Sequence, residues 1–201
     1  MSDGGTRPLR RAGTGRLPGG RRLTWTVAGG SRGRRWRTIT TSADGRLVEV
    51  LLLETTPAGA LARLELATAS GLLTLHPETT GTMLHGNVVR PSGIDHVSLP
   101  WSGDHVLLAG TSPMTGAVAA ALLADRVGTG EGASVPAVYI GGRLEVRPAT
   151  WRAARVGERR WWLLAADGGT SLAVTLDDDG IPASLEAAEG WPLELDAAPA
   201  S

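Results

Sequence analysis

A chain of 201 residues, 42% of them apolar, is long enough to bury one core, and its length fits one domain with tails rather than several domains. It has no Cys, which excludes disulfides and thiolate chemistry, and no apolar run reaches the ~18 residues of a membrane span. Net charge is zero, yet residues 1–37 hold ten Arg and one acid (Asp3), whereas residues 38–201 hold ten Arg and nineteen acids.

Residues 1–20 are rich in Gly, Arg, Pro and Thr and read as a disordered basic tail. Such an arm either finds an anionic partner, nucleic acid or a membrane surface, or lies solvated against its own acidic domain. It has no apolar h-region of a secretory signal, so a cytoplasmic protein is expected. All twenty basic residues are Arg, and the abundance of Ala, Gly, Leu and Val points to a GC-rich bacterial genome.

The β-rich domain is expected over residues 21–196, with a second disordered tail at 197–201. Leu23, Trp25 and Val27 alternate with Arg22, Thr24 and Thr26, the period of a half-buried strand. Residues 34–41 and 46–55 form the next strands, joined by a hairpin turn at Ser42-Ala43-Asp44-Gly45. Strands at 60–68 and 72–76 lead into residues 82–108, which hold three of the four histidines. Two turn signals, Pro91-Ser92-Gly93 and Ser102-Gly103-Asp104, cut that stretch into three short runs. These are expected at the middle of the sheet.

One helix is expected, over residues 114–127, with Ser112 as N-cap, Pro113 in the first turn and Gly128 as its end. Met114, Val118, Ala121 and Leu122 share a face of it, and Ala117, Ala119, Ala120 and Ala121 allow close approach to a sheet. Strands resume at 135–140, 143–147, 150–156, 160–166, 170–176, 181–186 and 191–195. A faint echo links Gly33-Arg34-Arg35-Trp36 to Gly157-Glu158-Arg159-Arg160-Trp161, two hairpins of similar design. The fold class is therefore mainly β: a curved antiparallel meander of about a dozen strands, a half-barrel or barrel, with one helix covering or plugging its concave face.

The chemistry-bearing residues give no catalytic signature. His85, His96 and His105 fall on neighbouring strands, but neighbours such as Asp95-His96 point to opposite faces. Hydrogen bonding suits these histidines better than zinc ligation, and no metal or cofactor is expected. The Asp177-Asp178-Asp179 run lacks EF-hand spacing and reads as a solvated turn. The aromatic content is more informative: seven Trp, one Tyr and no Phe. Indoles suit the walls of an apolar cavity as well as a core.

The segments Trp36-Arg37, Leu84-His85-Gly86-Asn87-Val88-Val89-Arg90, Val138-Tyr139-Ile140, Thr150-Trp151 and Asp179-Gly180-Ile181-Pro182 follow one another in a layout covering residues 21–195. That layout resembles the bacterial lipoprotein-carrier and glycolipid-binding fold family. The resemblance implies a curved half-barrel with a helical lid over an apolar concave face. The function expected is binding of a lipid, glycolipid or other elongated apolar ligand. Trp101, Trp151, Trp161 and Trp162, with Met114, Val118 and Leu122 from the helix, would line the cavity. His85, Asn87, Arg90 and His96 would meet a polar head group. The alternative is an isomerase, cyclase or hydrolase using the same cavity with a histidine base.

Overall fold

The computed structural model of the chain describes residues 9–110, 112–166, 168, 171–185 and 193–195. In chain order the elements are β1 (Arg10–Leu17), β2 (Arg21–Gly30), β3 (Gly33–Thr41), β4 (Leu47–Thr55), β5 (Leu61–Thr68), β6 (Gly71–Pro77), β7 (Met83–Arg90), β8 (Gly93–Pro100), β9 (Val106–Ala109), α1 (Met114–Leu123), β10 (Gly132–Ile140), β11 (Val146–Arg155), β12 (Arg160–Ala165), β13 (Ser171–Leu176), β14 (Pro182–Leu185) and β15 (Leu193–Leu195). The expected mainly β class with one helix holds. The meander, however, is divided into two sheets. One has nine strands in the order β15-β1-β2-β3-β4-β5-β6-β7-β8, and the other has six in the order β14-β13-β12-β11-β10-β9, curled into a half-barrel.

Period-two patterning builds the first sheet. Leu23, Trp25 and Val27 of β2 are buried, while Arg22, Thr24 and Thr26 are exposed. The same inner face continues through Trp36 and Thr38 of β3, Leu51 and Leu53 of β4, Leu64 and Leu66 of β5, and Leu73 and Leu75 of β6. Trp25, Trp36 and Trp161 are among the largest fully buried side chains and stand where Phe is missing. Each indole removes on the order of 200 Å² from water, which stabilises the fold by about 5 kcal/mol before ordering costs.

Four sequence expectations are corrected. Residues 10–20 are not a disordered tail: β1 pairs with β2 from Arg10↔Ala28 to Leu17↔Arg21 and with β15 at residues 11–13. The composition is that of a linker, but Gly13, Gly15 and Leu17 fall on one face and are buried there, Gly13 beside Trp25 and Gly15 beside Leu23. The rest of the expected tails, residues 1–8 and 197–201, lies outside the described residues. Secondly, residues 82–108 do not sit at the middle of a sheet: β8 is an edge strand, with Ile94 60% exposed. Thirdly, one strand pair is parallel. β9 runs alongside β10 from Val106↔Ala137 to Ala109↔Ile140, and α1 makes the crossover between them. A helix between parallel neighbours is the usual way to join them.

The fourth correction concerns the length of α1. It ends at Leu123, and Arg155 Nη1 caps carbonyls of the turn that follows, Ala124 O at 3.0 Å and Val127 O at 3.5 Å. At the other end Thr115, not Ser112, ties the turn: its hydroxyl donates to Ser112 O and accepts the Ala109 N–H. The helix is apolar on every side and correspondingly buried, with Met114, Ala117, Ala119, Ala120 and Leu123 in the core. It packs on β9, β12 and β13 so closely that a Cβ at Gly116 would lie 2.0 Å from Leu172 Cδ2. Among the described residues no helix is long and apolar enough to cross a membrane.

Candidate functional site

The described residues enclose an open cleft of about 1900 Å³. It opens where the turns at one end of the two sheets meet the exposed side of α1. Its apolar lining is the half-buried Leu9, Val118 and Leu122, bordered by the buried Trp36, Trp161 and Leu176, and the β4–β5 turn at Thr56-Pro57-Ala58-Gly59 forms part of the same surface. Drug-sized ligands occupy roughly 300–1,000 Å³, so this cleft has room for a longer molecule. Each wall residue follows from strand period or helix geometry. Trp36 and Trp161 are inner-face residues near the ends of β3 and β12, and Val118, Ala121 and Leu122 form the one half-buried strip on α1.

The rim is charged and largely self-neutralised. Arg11 Nη2 reaches Asp179 Oδ2 at 2.5 Å, and its Nη1 lies 3.8 Å from Asp177 Oδ2, which links β1 to the β13–β14 turn across the opening. Arg159 pairs with Asp178. Asp177 Oδ1 accepts the backbone N–H groups of Asp179 and Ile181, both at 2.9 Å, so the run of three aspartates is a hydrogen-bonded turn. Arg155 stacks over Trp161 at 5.7 Å and donates to Glu158 O as well as to the end of α1, fixing the β11–β12 turn against the helix. Arg34 differs from these. It is half-buried and lines the cleft, and among the described residues it has no ion-pair or hydrogen-bond partner.

Of the side chains expected at the site, Val118, Leu122 and Trp161 line the cleft. The others lie elsewhere, and the reason is in each case geometric. Met114 is in the first turn of α1, fully buried in the core. Trp101 is 7% exposed and stacks on His105 at 5.2 Å between ring centres. Trp151 stacks on Tyr139 at 6.2 Å, further along β11 than the end that meets the cleft. Trp162 follows Trp161, so it points outward and is 50% exposed.

The expected head-group residues all lie away from the cleft. Leu84, Gly86 and Val88 take the inner face of β7, which leaves His85 and Asn87 facing outward. His85 Nε2 sits 2.6 Å from Glu78 Oε1, and this bond, helped by the Thr80 hydroxyl, holds the Glu78 carboxyl below its usual pKa. His96 Nδ1 donates across the strand pair to Asn87 Oδ1 at 2.6 Å. Arg90 pairs with Asp95 and reaches Arg143 O and Leu144 O at 3.2 and 3.4 Å, tying the β7–β8 hairpin to the β10–β11 turn. The three histidines thus go to three separate places. Among the described residues no group of three or more His, Asp or Glu is placed to hold a metal ion.

The structure shifts the titration of His105. Burial lowers its pKa from the ordinary 6.5, against an opposing pull from Asp104. Its Nδ1 accepts the Ser102 N–H at 3.1 Å and the Ser102 hydroxyl at 3.0 Å, which requires the neutral ring. The folded state therefore binds this proton less readily than the unfolded chain. The stability tied to the neutral ring is full above pH 6.5 and is lost as pH falls through the lower folded-state value. Urea unfolding of the wild type against His105→Asn, whose amide oxygen can stand in for Nδ1, should show a shallower loss between pH 7 and pH 5 in the variant. Parallel pH profiles would exclude this role.

Trp36, Leu9, Leu176 and Arg34 are cleft residues that the sequence reading left outside the site. The signal that could have found two of them is the hairpin echo. Gly33-Arg34-Arg35-Trp36 and Gly157-Glu158-Arg159-Arg160-Trp161 each place an Arg two residues before a Trp, and all four of those side chains line the cleft.

Compared with known proteins, the sequence matches no family model and no curated protein. A solved structure of a DUF1089 family protein from Pseudomonas aeruginosa is similar over 92% of this chain and 91% of that one, at 15% identity and a TM-score of 0.52. At that identity the likeness bears on the fold alone.

Proposed function

We propose that the protein binds a lipid, glycolipid or other elongated apolar molecule in the cleft between its two sheets. The observation that carries this reading is the cleft itself: about 1900 Å³, lined by Leu9 and the aliphatic strip of α1 together with a set of charged side chains from the hairpin ends. A lining that combines apolar and charged side chains favours an amphiphile, whose tail meets the first and whose head meets the second. A histidine base acting in the same cleft has no support from the geometry, since His85, His96 and His105 are bonded to Glu78, Asn87 and Ser102 outside it.

The reading is tested by filling the cleft. Val118 is half-buried and borders open space, so Val118→Trp should occupy the volume a ligand would take without overpacking the core. Titration with the neutral fluorescent probe N-phenyl-1-naphthylamine should show binding to the wild type, weakened about tenfold or more in the variant, a difference of about 1.4 kcal/mol. Urea midpoints should agree to within about 1 kcal/mol. Equal probe binding by the two proteins would remove the cleft as the binding site. Native mass spectrometry of the freshly purified protein would then show whether a lipid is carried elsewhere.

A further inference from the structure

We infer that the ligand is an anionic amphiphile and that Arg34 holds its acidic end, a carboxylate or a phosphate. This inference rests on the cleft being an apolar-ligand site and adds the chemistry of the head group.

Two equivalent arginines differ in what answers them. Arg34 and Arg159 occupy the same place in the two echoing hairpins, each two residues before a cleft tryptophan. Arg159 is answered by Asp178. The other carboxylates of that turn are also engaged: Asp179 by Arg11, and Asp177 by Arg11 and two backbone N–H groups. Arg34 Nη1 comes against Gly180 of the same turn, where a Cβ would lie 3.5 Å away, and meets no carboxylate among the described residues. A half-buried guanidinium offers five N–H donors and keeps its charge at any physiological pH. Partial burial makes such a group costly unless an anion satisfies it. A bidentate acid is the partner its fork fits best.

Position supports the same conclusion. Arg34 lines the same cleft as the half-buried Leu9, Val118 and Leu122, so an acyl chain lying along those aliphatic side chains has the guanidinium within the same concavity. Arg10 stands on the same rim and adds positive potential. The cleft acids whose side chains have no partner among the described residues, Asp125 and Glu158, are both exposed, so solvent screens them more than it screens Arg34.

The test uses cis-parinaric acid and its methyl ester, which share a chain and differ in charge. Energy transfer from the protein's tryptophans reports binding of either. The acid should bind about tenfold or more tightly than the ester, the scale of a hydrogen-bonded charge pair. Arg34→Gln should bring the two affinities together by weakening the acid alone, while Arg34→Lys retains part of the preference. Displacement of the acid by dodecanoate or by dodecyl phosphate would support the proposal and tell carboxylate from phosphate; displacement by neither would overturn it. Equal affinity of acid and ester in the wild type, or an acid preference that survives Arg34→Gln, overturns the head-group assignment and leaves the apolar cleft intact. Binding of neither probe removes the cleft reading, and the head-group proposal falls with it.

Discussion

Ala120→Asp should unfold much of the protein at room temperature, or lower its stability by at least about 3 kcal/mol, because a carboxylate there is buried with no cation to meet it. Ala120 is fully buried on α1, on a helix whose neighbours are Leu, Val and Ala side chains of β9, β12 and β13. A domain is typically stable by only 5–15 kcal/mol, so a loss of this size is a large share. The adjacent residue supplies the control. Ala121 is half-buried and lines the cleft, so Ala121→Asp keeps its carboxylate in reach of water and should lose clearly less. Urea unfolding of both variants reads the difference. A soluble Ala120→Asp protein with an unchanged midpoint would mean that the helix does not present that side to the core. Similar losses for the two variants would mean that the cleft is closed over Ala121.

The contrast between those two alanines shows what was legible in the sequence. Alternation in Leu23-Trp25-Val27 fixed which face of β2 is buried, because a period of two leaves no other choice once one face is apolar. Placement of the helix followed from its Ala/Leu run and the proline before it. Its crossover role did not, since β9 is four residues long and buried throughout, which gives no period to read. The site was less legible still. Histidines and polar residues in 82–108 drew the reading toward that stretch, yet Leu84, Gly86 and Val88 claim the inner face of β7 and send His85 and Asn87 outward. The cleft is made from the ends of hairpins far apart in the chain, and which turns meet is decided by how the two sheets pack. Only the repeated Arg-x-Trp spacing of the two hairpins carried that information locally. It was visible as a pattern, and its meaning depended on the two hairpin ends bordering one cleft.

Deleting residues 1–20 should lower the melting temperature by more than about 6 °C, the shift expected for a loss of roughly 3 kcal/mol in a domain of this size. Composition alone predicts the opposite, since a Gly- and Arg-rich arm buries little. The structure gives three reasons for the large effect. β1 pairs with β2 along its whole length, from Arg10↔Ala28 to Leu17↔Arg21, so its removal leaves the backbone groups of β2 unpaired on that edge. Leu17 is buried, and its loss alone costs about 1.5–3 kcal/mol. Arg11 also links β1 to Asp177 and Asp179 on the other sheet. That last part is separable. Ion pairs at this exposure contribute about 0–1 kcal/mol, so Arg11→Ala should shift the melting temperature by no more than a few degrees. Strand pairing then accounts for the remainder of the deletion's effect. The new edge would carry Leu23, Trp25 and Val27 on one face, so the truncated protein should also self-associate in a concentration-dependent way. A truncated chain that melts with the full-length protein and stays monomeric would mean that β1 contributes nothing to the sheet. If Arg11→Ala reproduces the whole loss, the link across the cleft rather than the strand is what holds the N-terminal segment in place.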